Sequence, residues 1–496
     1  MFSFTLEIGW LTGHNILVLF FVGWVGWKTF LSVYRHYFSA IPDIDSPWFL
    51  AFAKSKPTRQ LIVDAYDKYS TKSRVFKKDN SYILPPSAFD EARKVPSSVF
   101  SSSEVIEDSL HLKYFLGNDH TDVVNFVRQS VSSNIKNLVP IIQDEVQHMF
   151  RERFPPRDEI PVQTATGKWH HVRLHKELLT GIGCIASRIF VGRHYARDVN
   201  WTRTASDWAN GIIFQGLLFR HLPEIMIAFV ARFMPGMKRF KLLKSILHDE
   251  VLEYLTKPIE TESVSLSTEK GDEITLLPFL VQLMGLMFAA IDTTTMTTTH
   301  LILDLLSNPR SEYADPIRVE LETVLGKYGG VWTQQALGEL KLLDSFIKES
   351  QRMHAIALVL PGRMVMSKSG YTFSQSKTAP NANSIHVPYR SRVFLPLAGV
   401  HSDPIIYENP GCFQGFRFVG DPVASSQPSN KFLSFGHGTH ACPGRHLALV
   451  VIKLMAIELL TKYEWEEMAQ RPKDLTFGTA NVPDFSATVH VRRRSD

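Results

Sequence analysis

The chain has 496 residues, with 54 Lys and Arg against 49 Asp and Glu, a formal net charge of +5. At 44% apolar and 21% charged residues, the composition excludes an intrinsically disordered chain and a many-span membrane protein. Three cysteines, Cys184, Cys412 and Cys442, exclude a disulfide scaffold and suit a reducing compartment, and the small, diffuse positive excess gives no case for nucleic acid.

The first predicted element is an anchor. Between Glu7 and Lys28 lie twenty residues without a formal charge, Ile8 to Trp27. At about 1.5 Å per residue they cover roughly 30 Å, one hydrocarbon thickness. Trp10, Trp24 and Trp27 stand near its ends, where amphipathic rings prefer the interface. Glu7 and the lack of a basic start or a small-residue cleavage site argue against a secretory signal. Nearby positive charge (Lys28, Arg35, Lys54, Lys56, Arg59) is all C-terminal, which directs that side to the cytosol. The reading is an anchor in residues 1–34, spanning about 8–27, followed by one domain over 35–496.

No repeat or low-complexity tract divides the remainder. Ser130–Arg153 and Leu178–Phe190 read as helices. Ile212–Phe233 is apolar but carries Arg220, His221, Glu224 and Arg232, so it reads as a buried or membrane-dipping helix pair. Glu273–Leu306 reads as one long helix, with Pro278 near its first turn and Pro309 beyond its end. That helix carries Ala289-Ala290-Ile291-Asp292-Thr293-Thr294 and six threonines between 293 and 299, against their mediocre helix propensity. Two readings stand: hydroxyls bonding back to helix carbonyls, or an acid–alcohol pair, Asp292 and Thr293, relaying protons.

Glu349-Ser-Gln-Arg352 sets a carboxylate and a guanidinium three apart on one helix face, which on a surface is worth little. Strand-like runs follow at Arg363–Met366, Ile385–Val387 and Arg392–Leu395, with a polar loop around Ala379-Pro380-Asn381. Small late sheets on a helical body give a mostly α, α+β fold.

The most informative segment is Phe435-Gly436-His437-Gly438-Thr439-His440-Ala441-Cys442-Pro443-Gly444-Arg445. Gly436 and Gly438 permit a turn and a close backbone approach to a flat ligand. Pro443 suits the first position of a helix through Leu447, Val450, Leu454 and Ile457. Cys442 would then sit at a helix N-terminus, where partial positive charge favours a thiolate, the form an axial haem ligand needs. Two other readings stay open: an ordinary buried cysteine, or a zinc site of His437, His440, Cys442 and His446.

Phe435-x-x-Gly438-x-x-x-Cys442-x-Gly444 resembles the haem-binding loop of the cytochrome P450 superfamily, in wording close to its fungal microsomal branches. The resemblance runs over about residues 40–490 and implies a single helical domain of that type with small β-sheets. It makes Cys442 the axial iron ligand of haem b (iron protoporphyrin IX), with Phe435, Gly436, His440 and Arg363 as cofactor-binding residues. His440 stands where many members place an arginine for a haem propionate, which would make that pairing pH-sensitive. Arg363 resembles another propionate-binding arginine, the alternative being an exposed strand residue. Glu349, Arg352 and Arg417, in Phe413-Gln-Gly-Phe-Arg417-Phe418, resemble the family's structural Glu–Arg–Arg cluster, with Gly415 where proline is common. Asp292 and Thr293 match its oxygen-activation segment, with Ala290 in place of the usual glycine. Trp169-His-His-Val-Arg173 mimics a propionate-binding motif but falls after the 130–153 helix, whereas the family's belongs near Asp119–Arg128, so the second propionate partner is unassigned.

The resemblance implies an oxidoreductase, a haem-thiolate monooxygenase inserting one atom of O2 into a lipophilic small molecule, with a terpenoid or related fungal-type metabolite as the expected substrate. Electrons would come from NADPH through NADPH-cytochrome P450 reductase, with cytochrome b5 as a second donor, docking where Arg445 and Lys431 offer positive charge. The expected location is the endoplasmic reticulum membrane, single-pass, with the domain facing the cytosol. Two alternatives remain: a haem-thiolate isomerase or dehydratase needing no O2, and a non-catalytic membrane-bound haem- or sterol-binding protein.

Overall fold

The computed structural model describes residues 41–45, 56–114, 127–154, 162–164, 167–219, 222, 224–256, 276–374, 384–421 and 425–494, with isolated positions before residue 31. The expected span at 8–27 lies outside them apart from residues 23, 26 and 27, and so does the loop around Ala379 to Asn381. No described helix is long and apolar enough to cross a membrane.

Helix α1 (Thr58–Lys68) is followed by strands β1 (Phe76–Lys78), β2 (Ser81–Ile83) and β3 (Phe100–Ser101), then α2 (Ser102–Leu110). Helix α3 (Ile135–Arg153) precedes strands β4 (Val162–Thr164) and β5 (Gly167–Arg173). Next come α4 (Leu174–Phe190), α5 (Val199–Phe219), α6 (Glu224–Ala231), α7 (Pro235–Thr256) and α8 (Leu276–Ser307). After α9 (Lys341–Met353) lie β6 (Arg363–Val365), β7 (Tyr371–Phe373), β8 (Ile385–Val387), β9 (Arg392–Phe394) and α10 (Leu397–His401). The chain closes with α11 (Arg445–Lys462), β10 (Tyr463–Trp465), β11 (Leu475–Phe477), β12 (Ala480–Val482) and β13 (Thr488–Arg493).

The mostly helical reading holds, and α8 matches its expected bounds closely. Pro278 is its third residue, where a missing N–H costs nothing. Helix α8 packs against α4, α5, α9 and α11, and the largest apolar cluster joins α3, α4, α8, α9 and α11. The helix expected from Ser130 begins as α3 only at Ile135, after a five-residue π turn and a short 3-10 turn. Ser132, Ser133 and Asn134, which make up that 3-10 turn, have low helix propensity, which delays regular helix.

The expectation that strands gather late is corrected. The main sheet has the order β1-β2-β9-β6-β3, so three early strands join two late ones. Strands β1 and β2 form a tight hairpin, Phe76 opposite Ile83 and Lys78 opposite Ser81. Its turn residues Asp79 and Asn80 both have positive φ, 50° and 58°, the geometry that a two-residue hairpin demands. A second sheet has the order β10-β13-β5-β4.

Close packing fixes α1 against α10. A Cβ on Gly399 would lie 2.4 Å from Tyr66 Cγ, and the Tyr66 hydroxyl is held by Asp403 Oδ2 at 2.7 Å, so the ring cannot swing aside. Gly399→Val should therefore lower stability by about 1–3 kcal/mol through overpacking, read as a lower unfolding midpoint in thermal denaturation. An unchanged midpoint would show that this contact yields freely.

Candidate functional site

The cysteine loop is tied by short backbone bonds: Gly436 N to Leu433 O (2.8 Å), Cys442 N to Phe435 O (2.8 Å) and Ala441 N to Gly438 O (3.1 Å). Gly436 and Gly438 have φ of +82° and +65°, and a Cβ on Gly438 would lie 2.8 Å from Arg93 O. Glycine is required there on both counts. The expected helix start is corrected: α11 begins at Arg445 with Gly444 as its cap, so Pro443 is not the first helical residue. Backbone N–H groups of Gly444 and Arg445 still reach the Cys442 sulfur and, with the Arg445 guanidinium, pull its titration down. Burial opposes them and prevails, so the thiol is raised above its ordinary value. The N–H groups at the helix start thus favour thiolate as expected, but burial outweighs them; a metal cation at sulfur would reverse the balance.

Cys442 is open by surface area yet densely surrounded by protein. The zinc reading finds no support among the described residues. His437 Nε2 lies 2.6 Å from Asn430 Oδ1, and His440 Nδ1 lies 3.0 Å from Ser102 Oγ. The one metal-like grouping found among them is elsewhere.

Arg363 of β6 is buried, not an exposed strand residue. Its guanidinium donates to Gly362 O (2.8 Å) and His437 O (3.2 Å), while its Nε has no partner. Desolvation lowers it to about 10, so a buried cation stands ready for an anion. Arg128 donates to Thr439 O at 2.7 Å, and both arginines act on His440. Desolvation first, then these cations, hold His440 down to about 4. It is neutral at physiological pH, so its expected role as a pH-sensitive charge partner is corrected. Arg128, which the sequence reading left unassigned, supplies the second cation; Thr439, next to His440, carries the contact that identifies it. Trp169 and Arg173 lie instead in β5, where the Arg492 guanidinium sits 4.4 Å over the Trp169 ring.

The Glu–Arg–Arg cluster is assembled, with Glu349 and Arg352 buried and Arg417 half-buried. Arg352 Nε and Nη2 each meet a Glu349 oxygen at 2.8 Å, and Arg417 Nε meets both oxygens at 3.1 Å. Arg352 Nη1 also donates to His401 O (2.7 Å) and Pro410 O (2.9 Å). His401 Nε2 accepts from Leu433 N at 3.1 Å, which leaves Nδ1–H to donate to Arg352 O at 3.1 Å. Burial holds His401 neutral, down to about 3. The chain Glu349–Arg352–His401–Leu433 thus ends two residues before Phe435. His401 was not among the expected residues; no local motif marks it.

In α8, Asp292 is fully buried with neither oxygen partnered, and desolvation raises it to about 7. Thr293 is exposed, its hydroxyl donating to Ala289 O at 2.7 Å. Thr295, Thr297 and Thr299 also bond back to the carbonyl four residues earlier, so the local reading of the threonine run holds for these.

A buried porphyrin with iron and two carboxylates fits these groups: an accessible sulfur, a glycine-built loop and two arginines, one with an unpartnered buried N–H. Glu349→Gln leaves two guanidiniums short of a charge, so stability should fall by about 3–5 kcal/mol, with loss of the cysteine loop's ligand. Thermal unfolding and absorbance of the purified protein read both; a fully stable variant would contradict the cluster's role. Asp292 carries the opposite sign. Below its ordinary 3.8 both states are protonated, and between there and about 7 only the unfolded chain ionises, so stability falls as pH rises. Asp292→Asn should raise the unfolding midpoint at pH 8, with the gain vanishing toward pH 4; an equal gain at both would contradict the assignment.

The family model for cytochrome P450 matches residues 240–484. Among curated proteins, cytochrome P450 monooxygenase 71 of Postia placenta is 27% identical over 478 residues, covering 90% of each chain. Cytochrome P450 monooxygenase janP of Penicillium janthinellum is 26% identical over 487 residues, covering 91% of this chain and 89% of its own. Ent-kaurene oxidase P450-4 of Gibberella fujikuroi is 26% identical over 438 residues, covering 83% of each. Among solved structures, retinoic acid bound cyanobacterial CYP120A1 has a TM-score of 0.65 at 16% identity, covering 90% of this chain and 96% of that one, a shared fold. With the cysteine loop and the Glu–Arg–Arg cluster in place, the chain belongs to the cytochrome P450 superfamily, as a haem-dependent monooxygenase of the fungal secondary-metabolism type.

Proposed function

We propose that Cys442 is the axial thiolate of haem b in a membrane-anchored monooxygenase whose catalytic domain, 35–496, faces the cytosol at the endoplasmic reticulum. The observation that carries the site is the unpartnered Nε of buried Arg363 beside the loop of Cys442. It calls for an anion next to a metal-binding sulfur. Haem, when bound, supplies the iron centre at which dioxygen is reduced and cleaved. Arg128 and Arg363 would take the propionates, and Gly436 and Phe435 would lie against the ring.

Asp292 and Thr293 are the proton-delivery groups in this reading. A carboxyl held to about 7 can both take and give a proton near neutral pH. Neighbouring residues on a helix point about 100° apart, so transfer from buried Asp292 to exposed Thr293 runs through water. Thr293 would then present its hydroxyl to the reacting oxygen once its bond to Ala289 O is released.

A lipophilic substrate is supported by the apolar surface of the α5–α7 region, where Leu218, Met226, Phe229 and Phe233 are exposed. Such a patch beside Arg232 and Lys238 suits anionic lipid and a pocket entrance at the bilayer. A terpenoid or related polycycle is the substrate class proposed, supported by a relative that oxidises ent-kaurene. Electrons come from NADPH through a flavoprotein reductase, with cytochrome b5 as a second donor, at the face bearing Arg445 and Lys431.

With reductase and NADPH, Asp292→Asn and Thr293→Val should each lower product formation by about 10- to 100-fold, with NADPH consumption falling less. Wild-type turnover should also vary with pH near 7 and lose that dependence in Asp292→Asn. Full turnover in both variants would overturn the relay, and turnover without O2 or NADPH would instead favour an isomerase.

A further inference from the structure

A cavity of about 260 Å³ opens between α9, α11, the short helix Gln334–Glu339 and the stretches 418–421 and 425–426. Helix α11 gives it His446, Leu449, Val450 and Lys453, and α9 gives it Lys341, Asp344 and Lys348.

Two lysines are buried in its wall, Lys348 at 3% and Lys453 at 6% exposure. An ammonium taken out of water needs an opposite charge and an acceptor for each of its hydrogens. Lys348 Nζ meets Asp421 Oδ2 at 2.8 Å and stands 4.5 Å over the Phe418 ring. Lys453 Nζ meets Asp344 Oδ1 at 2.8 Å and Leu337 O at 2.6 Å. These contacts leave one Lys453 hydrogen without an acceptor among the described residues. Asp344 Oδ1 also accepts from Ser425 Oγ at 2.9 Å, whereas its Oδ2 has no donor among the described residues. The Ser426 hydroxyl, buried in the same wall, has no partner among them either.

The charges do not cancel. Three lysines line the cavity against two carboxylates, Asp344 and Asp421. Lys341 is the unmatched one: its Nζ donates to Gly338 O at 2.9 Å and makes no ion pair among the described residues. The nearby acid Glu339 is already held by Lys327 at 2.7 Å. Burial, then the Arg445 charge, lowers His446, so its imidazole adds a neutral donor and acceptor. Water can fill such a polar cavity but leaves its charge in place. An anion removes it, and an anion that carries a hydroxyl would also serve Asp344 Oδ2. Lysines are point charges that suit a phosphate, whereas planar pairing to a carboxylate favours arginine. No arginine is among the described residues that line this cavity.

We infer that this cavity is a binding site for a small hydroxylated phosphate monoester. Its phosphate pairs with Lys341 and takes the remaining hydrogen of Lys453, its hydroxyl donates to Asp344 Oδ2, and Leu449 and Val450 meet its carbon chain. The inference does not rest on the monooxygenase reading. A ligand seated there braces α9, the helix of Glu349, against α11, which begins three residues after Cys442.

The test is titration of the haem-loaded full chain with glycerol 3-phosphate, inorganic phosphate and glycerol at constant ionic strength, read by calorimetry and by thermal unfolding. Glycerol 3-phosphate should bind one to one with a dissociation constant of about 1 mM or below, inorganic phosphate about fivefold or more weakly, and glycerol not at all. The unfolding midpoint should rise with glycerol 3-phosphate concentration. Lys341→Gln, at an exposed position, and Ser426→Leu, which fills the cavity, should each weaken glycerol 3-phosphate by about fivefold or more. Should Ser426→Leu fail to fold, Lys341→Gln decides alone. A midpoint that glycerol 3-phosphate leaves unmoved, inorganic phosphate bound as tightly, or equal affinity in Lys341→Gln and wild type would overturn the proposal. A chain that binds no haem would sink the functional reading instead. Phosphate taken up by Arg128 and Arg363 would then survive Lys341→Gln, and that survival would count against this cavity.

Discussion

Burying the Glu349 carboxylate is the constraint on which the cysteine side of the molecule depends. A carboxylate with no exposed surface is tolerable only if its charge and its lone pairs are fully met. Arg352 and Arg417 meet them, and each guanidinium has donors left over. Those donors reach the carbonyls of His401, Pro410, Glu408 and Cys412, so one buried charge fixes α9, α10 and the loop before the cysteine segment together. His401 extends the same order to Leu433, and the glycine turn that carries Cys442 begins three residues later. The ion cluster does no chemistry. It sets where the sulfur is.

Burial acts in the same direction on four titratable groups of the site. It raises Cys442 and Asp292 and lowers Arg363 and His440, each toward its uncharged form. A protein that meets these costs with a ligand needs one that brings both signs: a cation for the sulfur and anions for the arginines. Haem meets that requirement with one rigid molecule. Asp292 is the exception left without a partner, and a group poised about 7 is more useful to proton transfer than a satisfied one.

The features legible in the sequence were those set by local chemistry. The long α8 helix was bounded by its prolines and its apolar run, and the cysteine loop by its glycines. The β1–β2 hairpin was also local, marked by Asp79-Asn80, but strands of three residues give too little alternation to read. The rest depended on distance in sequence. Arg128 meets Thr439 and His401 meets Leu433, contacts between segments more than thirty residues apart that no spacing rule reaches. His440 was read by its position as a charge partner. Desolvation first, then two arginines brought beside it by the fold, make it neutral instead. The helix-end argument for Cys442 was incomplete for a similar reason: the N–H groups reach the sulfur and act as expected, but desolvation outweighs them.

The central claim is that Cys442 binds haem iron as a thiolate in the setting that these buried charges hold. The dithionite-reduced, carbon monoxide difference spectrum of the wild-type protein and of Cys442→Ser tests it most directly. A strongly red-shifted Soret band in wild type, lost in the serine variant, is the predicted result. An imidazole-like band in wild type, or the same red-shifted band in Cys442→Ser, would contradict it.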